Sequence, residues 1–90
     1  MRNKYEEEEK IYLEVIKTRE ETLGPANEVT LKTKLDFAFR LRMMRKYEQE
    51  EKLYLEVIKA REESLGPNHE VTLKTKLDFA FLLRMTRKYE

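Results

Sequence analysis

The chain has no cysteine and no tryptophan, and only two glycines, two prolines, one histidine and one serine among its 90 residues. Without cysteine there is no disulfide framework and no thiolate metal site, and one histidine leaves almost no transition-metal ligand set. A reducing, cytoplasmic setting is expected. Long apolar runs are also missing. The longest, Phe79 to Leu83, is far short of the roughly 18 residues that span a bilayer, and the charged start MRNKYEEEEK holds no apolar signal segment. Charge of one sign is absent too: 19 Lys and Arg face 18 Asp and Glu, a net +1. No whole-molecule field then draws the chain to nucleic acid or an anionic membrane.

What the chain does have is charge and repetition. Charged residues make up 41% of it and hydrophobic ones 40%, enough for a thin core in one small domain spanning 1–90. Residues 5–46 recur as 47–88, with eight of 42 positions changed and 34 identical, and the chain ends on Tyr89 and Glu90 as though a third copy began. The near-identity points to a recent duplication or to engineering from one repeat.

Each copy has one strong breaker, Leu-Gly-Pro at 23–25 and 65–67, where glycine closes a helix and proline stops its continuation. Upstream, Tyr5, Ile11, Tyr12, Val15, Ile16 and Leu23 share one side of a helical wheel opposite Glu6, Glu7, Lys10, Glu14, Lys17 and Glu21. Downstream, Leu31, Leu35, Phe39 and Met43 occupy one flank and Phe37, Leu41 and Met44 another, so that helix needs cover on more than one side. Helices are predicted near 5–23, 29–45, 47–65 and 71–88. The fold class is all-α: an α-solenoid of antiparallel helix pairs, in which neighbours bury what one repeat alone cannot.

The segment KYEQEEKLYLEVIKAREESLGPNHEVTLKTKLDFAF resembles the tetratricopeptide repeat in the 42-residue form of kinesin light chains and related proteins, over residues 5–90. Tyr47, Leu53, Tyr54, Arg61, Glu62 and Leu65 are similar to that family's second helix, Gly66, Pro67 and His69 to its loop, and Thr72, Leu73, Phe79 and Ala80 to its next helix. The resemblance implies a non-enzymatic interaction module with a concave groove. It also carries departures. Arg45 and Arg87 stand where the family turns on glycine, Glu8 and Glu50 where it packs a small residue, and Leu35-Asp36 and Leu77-Asp78 where it carries peptide-gripping asparagines. If buried, Glu8 and Glu50 need a cation such as Arg40 or Lys34.

No residue set specifies catalysis. Ser64, His69 and Asp78 make a triad only on paper: Ser64 and His69 replace Thr22 and Asn27 of the other copy, and no glycine-flanked elbow surrounds the serine. His69 reads as a loop residue that packs or caps. The acidic runs at Glu6–Glu9 and at Glu48, Glu50 and Glu51 suit the positive end of a helix dipole better than a calcium site, because consecutive helical side chains diverge. No metal and no cofactor is expected. The basic clusters (Arg40, Arg42, Arg45 and Lys46; Arg84, Arg87 and Lys88) lie at helix ends, where cations offset the dipole, so nucleic acid is not the expected partner.

The candidate binding groove is the flank Lys32, Leu35, Asp36, Phe39, Arg42 and Met43 with its copy Lys74, Leu77, Asp78, Phe81, Arg84 and Met85. Two readings of its apolar members stand side by side, core and open groove. An open groove suits a protein or peptide with apolar anchors and acidic flanks. The rival function is a self-associating building block, a dimer or larger, joined through exposed end helices. With no Gly or Pro between Val29 and Leu65, the middle helices form either a hairpin, which is favoured, or one fused helix.

Overall fold

The computed structural model describes residues 4–87. They form four helices and no strand: α1 Lys4–Thr22, α2 Glu28–Met43, α3 Tyr47–Ser64 and α4 Glu70–Arg87. These are the four expected helices, shifted by a residue or two at their ends. The expected extension to Lys88 and the turn after Arg87 lie outside the described residues.

The Leu-Gly-Pro loops work through backbone conformation. Gly24 and Gly66 take φ of 100° and 99°, and a Cβ at either would meet nothing within 4 Å, so left-handed φ alone calls for glycine. Asn27 Oδ1 then accepts from the Val29 amide at 2.9 Å, and in the second copy His69 Nδ1 accepts from the Val71 amide at 3.0 Å. His69 is a helix cap.

The middle of the chain is a hairpin, and its turn explains why α2 stops short of Arg45. Lys46 N–H donates to Leu41 O at 2.8 Å and Arg45 N–H to Arg42 O at 2.9 Å, the two bonds of a Schellman ending. Arg45 sits at the left-handed position with φ 61°. An L-residue there costs about 1–2 kcal/mol. Arg45→Gly should therefore raise unfolding stability by about 1 kcal/mol after glycine's extra unfolded-state entropy is deducted, read as a higher urea midpoint. It should also disfavour a fused middle helix.

The helices pack in chain order: α2 between α1 and α3, and α4 on α3 alone. The molecule measures 46 × 37 × 14 Å, so it is one helix thick and every helix keeps two open faces. Ile16, Phe37 and Leu41 form a core cluster flanked by Tyr12, Met44 and Leu53. Tyr12 stacks on Phe37 at 5.4 Å and Tyr54 on Phe79 at 5.8 Å, the same joint in both copies. The Val-Thr-Leu-Lys-Thr segments bring helices close. Thr33 and Thr75 donate to the carbonyls of Val29 and Val71 at 2.7 and 2.6 Å, while Thr30 and Thr72 donate to those of Arg19 and Arg61 at 3.3 and 3.4 Å. Small hydroxyls satisfy the backbone where a larger side chain would hold the helices apart.

Candidate interaction face

On α2, Phe39 projects opposite the buried residues Phe37 and Leu41, away from both neighbouring helices. Phe39 is 52% exposed, Met43 48%, Leu77 71% and Phe81 57%. The core reading therefore does not hold for these four, whereas Leu35 and Met85 are half-buried. Lys32, Asp36, Lys74, Asp78 and Arg84 are exposed on the same two helices, and Arg42 is half-buried. The Arg42 guanidinium lies 5.8 Å from the Phe39 ring centre, within cation–π range.

Arg42 is also tied to the interior. Its Nε donates to Glu50 Oε2 at 2.8 Å. Glu50 is fully buried at the start of α3, and its Oε1 has no hydrogen-bond partner. Burial pushes its carboxyl above the ordinary value despite the opposing pull of Arg42. The expected partners, Arg40 and Lys34, are engaged elsewhere. Arg40 meets Tyr12, with Glu8 nearby. Lys34, buried, pairs with Glu20 at 2.9 Å and Glu56 at 3.2 Å. Burial opposes the charge on Lys34, but these two carboxylates outweigh it and hold its ammonium above the usual lysine value.

Sequence reasoning missed the polar lock between repeats. Arg61, buried on α3, donates from Nη2 to Glu28 Oε1 on α2 at 2.9 Å and from Nη1 to Thr75 Oγ1 on α4 at 2.7 Å. One side chain thus joins three helices. Identity between the copies could not single these residues out, because 34 of 42 positions are identical.

Other candidates are not assembled into sites. Among the described residues no group of His, Cys, Asp or Glu is placed to hold a metal ion. His69 Nδ1 is committed to capping α4, and Ser64 and Asp78 are exposed. Of the basic residues, Lys46 pairs with Glu9 at 2.8 Å, in addition to the Arg42 and Arg40 contacts, so local neutralisation takes up much of the first cluster. No described helix is long and apolar enough to cross a membrane. Two concavities lie beside α2, and neither is lined by Phe39. One runs between Tyr5 and Lys46 and takes in Met43, and the other lies among Pro25, Leu31, Lys34 and Glu63.

A one-layer stack of helix pairs, repeated at 42 residues and carrying exposed aromatic side chains, defines a helical-repeat protein. The family model described as tetratricopeptide repeat matches residues 1–27 and 30–70, and the chain belongs to the tetratricopeptide repeat family. The second match runs through α2, the hairpin turn and α3. No curated protein and no solved structure matches the chain significantly. Members of this family generally mediate protein–protein interaction and are typically not enzymes.

Proposed function

We propose that the chain is a non-enzymatic, cofactor-free interaction module of the kinesin light chain-like type, with the flanks of α2 and α4 lining a concave groove for a peptide or partner helix. Lys32, Leu35, Asp36, Phe39, Arg42 and Met43, with Lys74, Leu77, Asp78, Phe81, Arg84 and Met85, are the binding residues. The observation that carries this reading is the outward placement of Phe39 and Phe81, since large exposed aromatic side chains on a repeat scaffold are the anchors a partner buries. Arg42 is held by Glu50 and Phe39, which leaves Lys32, Lys74 and Arg84 as the cations for an acidic ligand flank.

A library of acidic peptides with apolar anchors, read by fluorescence anisotropy, tests it. Phe39→Ala with Phe81→Ala should weaken the best binder by at least about tenfold, while the thermal midpoint stays close to that of the parent because both rings are exposed. Absence of saturable binding across the library would refute the groove. A second reading, self-association through the end helices, is favoured by a separate observation: α1 and α4 leave open the positions that α3 and α2 bury.

A further inference from the structure

We infer that α4 of one chain receives α1 of a second copy in the register with which α2 receives α3 inside the chain. The inference rests on the self-association reading and supplies its geometry. The internal α2–α3 joint is the template. On the α2 side Leu31 and Ala38 are 1% and 0% exposed, and on the α3 side Glu50 and Val57 are both 0%. Three ion pairs cross it: Glu28 with Arg61 at 2.9 Å, Lys34 with Glu56 at 3.2 Å and Arg42 with Glu50 at 2.8 Å.

Both halves of this joint recur uncovered. On α4, Leu73 is 38% exposed and Ala80 is exposed, although they are the counterparts of Leu31 and Ala38. On α1, Ile11 is 58% exposed and Val15 half-buried, the counterparts of Leu53 and Val57. The charges recur in the same order. Glu70, Lys76 and Arg84 stand on α4 where α2 has Glu28, Lys34 and Arg42, and Arg19, Glu14 and Glu8 stand on α1 where α3 has Arg61, Glu56 and Glu50. Two details show α1 prepared for the role. Arg19 Nη1 donates to Thr33 at 2.6 Å as Arg61 Nη1 does to Thr75 at 2.7 Å, which fixes the guanidinium in the same pose. Glu8, like Glu50, keeps one carboxylate oxygen buried without a hydrogen-bond partner, so the two carboxylates are set alike in their helices.

Docking α1 of a second copy on α4 therefore brings Glu70 to its Arg19, Lys76 to its Glu14 and Arg84 to its Glu8, and covers Leu73 and Ala80. None of the substitutions between the two copies falls on the three charge pairs or on Leu73 and Ala80; Ile11 replaces Leu53 in the apolar strip, and Thr18 replaces Ala60 toward the loop. Such a contact is heterologous, so it repeats from chain to chain and growth does not stop at two.

The test is light-scattering mass of the full chain from low micromolar to millimolar concentration, with three variants. The parent's mass should rise past two chains as concentration increases. Ala80→Glu, at an exposed site, should weaken association at least about tenfold by blocking the joint, with the thermal midpoint of the dilute chain unchanged. Glu70→Arg alone and Arg19→Glu alone should each stay monomeric, since each sets like charges face to face. Their equimolar mixture should associate again, because every contact between unlike chains regains opposite charges. Should Arg19→Glu unfold α1 by losing Thr33, Lys76→Glu mixed with Glu14→Lys makes the same comparison. A parent that stays one chain at all concentrations would defeat self-association itself. Association indifferent to Ala80→Glu, or not restored by mixing, would defeat this register while leaving self-association standing.

Discussion

Arg42→Ala is expected to lower unfolding stability by about 3–5 kcal/mol at neutral pH, the usual result of stripping the partner from a buried charge. Glu50 is fully buried, and after the substitution its Oε2 would lose the 2.8 Å bond while its Oε1 still has no partner. The Arg42 side chain is 22% exposed, so water entering the gap moves the loss toward the lower figure. Glu50→Gln in the same chain should recover most of it, since a neutral amide in that space carries no stranded charge. The pH dependence identifies the cause. Burial holds the folded carboxyl above its ordinary 4.5, against the pull of Arg42. The folded state then binds this proton more tightly than the unfolded one. Ionised Glu50 is thus a full cost above its folded pKa; the cost is relieved as pH falls through that value and is gone below 4.5. Without Arg42 the folded value rises further, so the deficit of Arg42→Ala should shrink as pH is lowered from neutral toward 4.5. Urea titrations at the two ends of that window decide it. An undiminished deficit at the acid end would place the loss in packing instead.

Ile58→Ala is the second large effect, a loss of about 2–5 kcal/mol. Ile58 is 8% exposed, one turn after Tyr54, whose ring stacks on Phe79 of α4. A one-layer fold has no second layer to collapse into the cavity, and among the described residues α4 packs on no helix but α3. Hydrogen exchange should therefore show α4 losing protection ahead of α1. Glu14→Ala, on the exposed face of α1, should change the monomer's stability by less than about 0.5 kcal/mol. Equal shifts in thermal midpoint for the two substitutions would mean that the helices are phased differently.

The four helices were legible in the sequence because their signals are local. Leu-Gly-Pro ends α1 and α3 through the left-handed glycine, and apolar residues at helical spacing mark what lies between. The turn at Arg45 was less legible: a Schellman ending normally takes glycine, and the left-handed arginine shows only in the backbone. The sequence asks for a cation, such as Arg40 or Lys34, beside Glu8 and Glu50 if they are buried. In the structure Arg42 meets Glu50 and Arg40 lies near Glu8, since which cation reaches a carboxylate depends on how two helices are rotated against each other. For the proposed groove, periodicity grouped Leu35, Phe39 and Met43 on one flank but left open whether that flank was inside or outside.

The sequence by itself determined the helices, their order, the repeat and the family, because these follow from residue spacing along the chain, helical periodicity within each segment and recurrence at 42 residues. Burial was decided by tertiary structure alone. Leu31 and Leu73, like Ala38 and Ala80, occupy identical positions in near-identical copies, yet the first of each pair is sealed and the second is open. The physical reason is that α2 has a helix on each side and α4 has one. Apolar side chains are removed from water by whatever packs against them, which the pattern of a single helix does not record.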